Sequence, residues 1–359
     1  MSPSPRPASI LPGLALAVLI AVIARGLHDL LPAQAQRLVA EVVLAVLLGL
    51  IAGNALSLPA IFLPGVRFSY QTVLRAAIIL LGASLSFQQV LRIGGKALLM
   101  IAVLMTVALV VAHALGRLAR VSSRLATLIG VGTAICGNSA IAATAPVIGA
   151  ADEEVSFAIA ANTLFGTAAV FLYPALGHLL GLSSGVFGTW VGVAVNDTSQ
   201  VVATGFAYGE AAGKVATAVK LTRNALMGVV IVIVGLLHGR SPASAGGGGA
   251  APDAARVPLW KRAQQSVPLF VLGFLAMAAL NSTGVFARLT EVAGHPVPEM
   301  LQAGSRVLIL VALAGVGLSA RLATMRAIGL KPFYIGLATS ATTATLGFLL
   351  IRAIGPASG

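Results

Sequence analysis

Two stretches sixty residues apart decide the fold: GTAICGNSAIAAT at Gly132–Thr144 and GVAVNDTSQVVAT at Gly192–Thr204. Five of their thirteen aligned positions are identical, more than chance gives even in a chain of small residues. Each is apolar at its ends and polar at its centre. Glycine loosens a helix there, and Asn and Ser side chains compete for its backbone groups. Both segments, 124–150 and 186–208, therefore read as broken helices. Inside a bilayer such a break survives only where protein or a water-filled cavity satisfies the freed N–H and C=O groups.

The surrounding chain says that a bilayer is the setting. Of 359 residues 58% are hydrophobic and only 9% charged, and mean hydropathy is +0.98. Soluble domains carry about 25% charged residues, so soluble, disordered and fibrous classes are excluded. Apolar runs of near-spanning length recur at 10–28, 38–53, 68–87, 97–116, 155–176, 213–238, 266–281, 303–320 and 333–352. With the broken segments they make eleven elements of an all-α polytopic membrane protein. The first run follows Arg6 and resembles a signal peptide; so many comparable runs follow that it reads as an uncleaved helix. The whole of 1–359 is one membrane domain, with 239–259 (containing GGGGAAPDAA) a flexible cytoplasmic linker between helices.

A net charge of +13 suggests nucleic acid, but such binding needs a basic patch interleaved with aromatics, and aromatics are 5%. Instead Arg117, Arg120 and Arg124, then Arg240, Arg256, Lys261 and Arg262, then Arg321, Arg326 and Lys331 fall in loops on one face. The positive-inside bias makes that face cytoplasmic, with the N-terminus inside and the tail after Arg352 outside. No nucleic-acid partner is expected, only membrane lipid and a small molecule.

A second echo joins Gly82–Ser86 (GASLS) to Gly315–Ser319 (GVGLS), so the helix pair at 68–116 resembles that at 303–352. Internal repeats of this kind mark secondary transporters. The sequence leaves one question of parity open. If both broken segments cross the bilayer they run parallel, and if both re-enter they form an inverted pair. Only Asp152-Glu153-Glu154 changes side between the two cases.

Several residues carry candidate chemistry. The N-terminal end of a half-helix offers free N–H donors and positive dipole charge to an anion, which nominates Gly137, Asn138 and Ser139 for substrate binding. The bland reading is close packing of small residues. The second segment holds Asn196-Asp197-Thr198-Ser199-Gln200. An acid at membrane depth costs roughly 2.5–3.5 kcal/mol and is functional by default. Asp197, with Asn196 beside it, is assigned to coupling through a proton or Na⁺, or neutralises a cation; Thr198 and Ser199 are assigned to substrate. Otherwise the segment is a polar loop outside the bilayer. Thr217, Lys220, Arg223 and Asn224 share one helix face. Lys220 and Arg223 need an anion: Asp197, substrate, or both, unless they snorkel from a helix end. Arg75 and Arg306 read as snorkelling or scaffold charges, and Asn162 as a residue able to face a cavity.

The five histidines show no metal spacing. Cys136, the one cysteine, excludes an intrachain disulfide and reads as a packing residue. No Walker loop, GxSxG or HExxH is present, so neither ATP-driven pumping nor an enzyme is expected, and no cofactor beyond a coupling H⁺ or Na⁺.

With these residues in place, ICGNSAIAATAPVIGA (135–150), NDTSQVVATG (196–205), VKLTRN (219–224) and LLGASLS (80–86) resemble the YeiH family of bacterial inner-membrane proteins, named for sulfate export. The resemblance runs in order over nearly the whole chain. It implies a secondary transporter related to the bile-acid/arsenite and cation–proton antiporter group, with inverted repeats, broken helices meeting near the midplane and elevator motion in a homodimer. Asn138 stands where the family usually has Ala or Ser, and Asn196 where it often has His; the latter moves the expected coupling role to Asp197. The resulting expectation is secondary active transport of a small anion (sulfate, sulfonate or organic acid) by alternating access. Its rivals are a passive anion channel and an intramembrane lipid-phosphate transferase.

Overall fold

The computed structural model describes residues 7–38, 40–56, 58–239, 268–288, 297–320 and 329–357, and all regular structure among them is helical. In order these are α1 (Pro7–Leu30), α2 (Ala33–Leu38), α3 (Glu41–Ala55), a 3-10 turn (Ala60–Phe62), α4 (Leu63–Phe68), a π-helical segment (Ser69–Val73), α5 (Leu74–Gly82) and α6 (Phe87–Leu118). Then follow α7 (Ser123–Ala134), α8 (Asn138–Ile148), α9 (Asp152–Leu179), α10 (Ser184–Ala194), α11 (Thr198–Tyr208), α12 (Glu210–Ala225) and α13 (Met227–Gly239). The chain closes with α14 (Leu269–Ser282), α15 (Val285–Arg288), α16 (Val297–Ser319) and α17 (Leu330–Ile354). All eleven elements read from the sequence are present, and six helices among the described residues are long and apolar enough to cross a membrane. Most of the linker and Arg240, Arg256, Lys261, Arg262, Arg321 and Arg326 lie outside the described residues.

Local chemistry sets the helix starts. Ser122 and Ser183 accept from the Leu125 and Val186 amides, while Ser86 and Gln89 bond each other reciprocally at the head of α6. Such caps satisfy donors that a helix start leaves free.

The apolar side chains sort into two bodies. One core joins α1, α3, α4, α5, α14 and α16 and takes in the side chains of α6, α9, α11 and α12 that pack against them, among them Val90, Val170, Val202, Phe206 and Leu221. The other joins most of α6 with α7 to α13 and α17. Small residues let backbones touch in the first body. A Cβ on Gly49 of α3 would overlap the Ala314 carbonyl of α16, and one on Gly317 would overlap that of Val46. Dispersion at such close approach, rather than a hydrophobic gain, holds helices together in lipid.

The helix contacts are reciprocal. α3 packs on α16 as α14 packs on α5; α6 packs on α7 as α17 packs on α10; α7 packs on α9 as α10 packs on α12. The run α3, α4–α5, α6, α7–α8, α9 thus matches α14, α16, α17, α10–α11, α12–α13, with the second repeat cyclically permuted along the chain. Both sequence echoes fall on matched elements.

The parity question has an answer. Tyr208, at the end of α11, stacks on Phe187 at the start of α10 with ring centres 3.9 Å apart, and its hydroxyl donates to the Leu182 carbonyl. The two ends of this segment therefore lie together, and it re-enters. At the other segment the Ser122 hydroxyl, at the head of α7, donates to the Glu154 carboxylate in the first turn of α9, directly after α8. It too is a hairpin. Asp152, Glu153 and Glu154 consequently begin α9 on the face of Arg117–Arg124, where Ser123 and Thr127 lie 3.3 Å from His113 and His238. Since α9 separates them, the hairpins enter from opposite faces.

Candidate functional site

The hairpin tips meet near the middle of the second body. Gly137, joining α7 to α8, has φ +71°, a conformation suited to glycine. A Cβ there would stand 2.8 Å from Asp197 Oδ2 and 3.0 Å from its Cα. Only glycine lets the tips touch.

Each tip presents two helix ends of opposite polarity. α7 and α10 end in carbonyls without intrahelical partners, the negative ends of their dipoles. Lys220 of α12, fully buried, donates to the carbonyls of Ile135 (2.7 Å), Val195 (2.9 Å) and Asn196. Arg223, one turn on and 3% exposed, donates through Nε to Ala134 (2.6 Å), through Nη1 to Val193 and Val195 (2.9 and 3.2 Å), and through Nη2 to Thr133. An ammonium has three donors and a guanidinium five, so Lys220 has none left and Arg223 one. This revises the expectation that the pair faces substrate or Asp197. Their counterpart is the partial negative charge of two half-helix carbonyl ends, and neither residue lines the cavity.

The opposite ends, the N-termini of α8 and α11, do reach it. A cavity of 740 Å³ lies between the two bodies, and Asn138, Ser139, Asp197, Thr198 and Ser199 line it from the tips. Asp197 caps α11: its Oδ1 accepts from the Ser199 amide (2.9 Å) and hydroxyl (2.7 Å). α8 has no side-chain cap, because its N-cap is Gly137. Asn138 is held in place by Thr163 Oγ1 (3.2 Å) and by Asn162, which donates to its Oδ1 at 2.9 Å. Asn162 thus backs the wall instead of facing the cavity. Asn224 donates to Thr198 Oγ1 at 3.0 Å, while Thr217 bonds within its own helix. Asn196 turns away, its amide 3.3 Å from Ser340 Oγ on α17. Cys136 is buried with its sulfur 3.4 Å from that of Met227.

The facing wall comes from residues that sequence reasoning did not assign to the site: Arg67, Tyr70, Gln71 and Arg75. Tyr70 and Gln71 sit in the π-helical segment, a distortion frequent at functional sites for which the sequence holds no signal. Arg75, which the sequence suggests as a snorkelling or scaffold charge, instead lines the cavity, its guanidinium 5.9 Å from the centre of the Phe270 ring. Arg306 does form a scaffold pair, 2.6 Å from Glu210. Among the described residues no group of three His, Cys, Asp or Glu side chains could hold a metal ion.

Residues 12–336 match the family model described as conserved hypothetical protein 698. A UPF0324 membrane protein of Bacillus cereus is 32% identical over 345 residues, 96% of this chain and 94% of the relative. One from Agrobacterium fabrum is 36% identical, covering 86% and 82% of the two chains, and one from Clostridium tetani 31%, covering 96% and 97%. Hairpins and cavity therefore belong to a chain similar to these relatives over nearly its whole length, and the protein is a member of the UPF0324 family, the YeiH family of membrane proteins.

Proposed function

We propose that this protein is a secondary active transporter of a small anion, working by alternating access. One observation carries the reading: two re-entrant hairpins from opposite faces, their carbonyl ends bonded by Lys220 and Arg223, turn their N-terminal ends into a cavity between two groups of helices. Transporter folds use half-helix ends at repeat interfaces in this way. The anion is held by the open N-terminus of α8 with Asn138 and Ser139, by the Thr198 and Ser199 hydroxyls, and by Arg67 or Arg75 across the cavity. Arginine suits carboxylate, sulfonate and sulfate alike. Asp197 is the coupling residue, taking H⁺ or Na⁺ as the anion moves.

The cavity wall includes Ser156 early in α9, Phe270 at the start of α14 and Ser319 at the end of α16, all on the face of Arg117–Arg124. On the opposite face Glu210 of the second body bonds Arg306 and Gln302 of the first, at 2.6 and 2.5 Å. The site is open to one side and tied shut on the other. Positive-inside counting makes the open side cytoplasmic, placing the N-terminus inside and the protein in a bacterial inner membrane; rigid movement of one body against the other suits a homodimer.

The test is flux. Proteoliposomes should show saturable uptake and counterflow of an anion that wild-type protein binds, and Ser139→Ala should reduce its affinity about fivefold, the worth of one hydrogen bond. Flux without counterflow would make the protein a channel.

A further inference from the structure

From the two chemistries of the cavity wall we infer that the substrate is an amphipathic organic anion, a carboxylate or sulfonate carrying an apolar body, and not inorganic sulfate. The inference rests on the transport site above and narrows what it takes. At the tips the wall is polar: the uncapped N-terminus of α8 with Ser139, and the Thr198 and Ser199 hydroxyls beside Asp197. Away from the tips Tyr70, Leu74, Ile78, Phe157, Phe270 and Val316 supply apolar surface, interrupted by Arg67, Gln71 and Arg75 and by the hydroxyls of Ser156, Thr163, Thr167 and Ser319.

Size points the same way. At 740 Å³ the cavity lies within the roughly 300–1,000 Å³ of pockets that enclose drug-sized ligands. Sulfate, about as large as two or three waters of roughly 30 Å³, would touch the tips and leave the apolar wall facing water. An organic anion uses both ends, its head on the α8 amides and its body against the aromatic wall. Arg75 lies above Phe270, so a cation and an apolar surface are offered side by side.

The experiment measures binding of sulfate, methanesulfonate, propanesulfonate, butanesulfonate and benzenesulfonate to the full chain in detergent, with butylammonium as a control for partition into the micelle. Affinity should rise about fourfold per methylene, as for hydrophobic burial, and benzenesulfonate should exceed sulfate by at least tenfold. Phe157→Ala should flatten the rise with chain length; the wild-type series decides even if that variant misfolds. Sulfate binding as tightly as butanesulfonate, or butylammonium binding equally well, overturns the inference. Proteoliposome flux separates the two proposals. Uptake of sulfate alone sinks the substrate class and keeps transport. Binding of the series without uptake or counterflow keeps the class and sinks transport. No binding by any anion overturns both.

Discussion

The two hairpins are built alike, but they differ at the N-terminal end of their second half-helix. Both have a first arm whose carbonyl end is bonded by Lys220 and Arg223. Beyond the tip, α11 begins with its own carboxylate, Asp197, bonded to the Ser199 amide and hydroxyl. α8 begins with Gly137 and no capping side chain. One positive helix end is thus neutralised from within the chain and the other is left for something else. A pair of sites that symmetry would make equal becomes one site for a ligand and one for a carboxylate able to titrate or bind a cation.

The largest effect should come from removing what the hairpins share. Lys220→Ala leaves the carbonyls of Ile135 and Asn196 without their donor and Val195 with Arg223 alone, each orphaned carbonyl costing about 1–3 kcal/mol when buried. Thermal unfolding in detergent should show a loss of several kcal/mol, or no folded protein. A melting temperature close to wild type would contradict the assignment of Lys220 to both tips.

Next comes the contact between the tips. Gly137→Ala forces a side chain into a left-handed backbone position and against Asp197 Oδ2, so a loss of about 1–3 kcal/mol is expected. The matched change Gly149→Ala, also at positive φ but with open space around it, should cost only the backbone strain. Equal losses in the two melts would show that the tips do not need to touch.

Asp197→Asn tests the asymmetry itself. Asn caps a helix about as well as Asp, so stability should change by only a few tenths of a kcal/mol. The substitution removes the negative charge at the start of α11 while keeping its cap, so anion affinity should rise severalfold while uptake loses its dependence on a H⁺ or Na⁺ gradient. Gradient dependence that persists undiminished would take coupling away from Asp197.

The smallest effect concerns the closed face. Arg306→Gln breaks an exposed pair with Glu210, worth about 0.2–1 kcal/mol. Melting should barely move, yet the balance between the two bodies should shift, raising thiol labelling of a cysteine placed near Gln302. Unchanged labelling would show that this pair does not hold the face shut.

The comparison also shows what could be read in advance. The tips were legible because Asn, Asp and Ser in the middle of apolar runs are rare and costly. The burial of Lys220 and Arg223 was legible for the same reason. Their partners were not, because they are backbone carbonyls, and a carbonyl leaves no mark in the residue alphabet. Arg75 carried the right signal, a cation inside an apolar run, but nothing local distinguishes a cavity wall from a lipid boundary.

By itself the sequence determined the eleven elements and the positions of both breaks. Hydropathy and helix breaking act within a few residues. Only the tertiary structure decided that the broken segments turn back instead of crossing, since every downstream orientation is the same in either case. The deciding contacts, Tyr208 with Phe187 and Ser122 with Glu154, join residues twenty-one and thirty-two positions apart. The same folding brings the ends of α7 and α10 within reach of α12 and leaves the start of α8 uncapped at the cavity. Helix-end polarity becomes a binding site only when several ends converge, and that convergence is a property of packing.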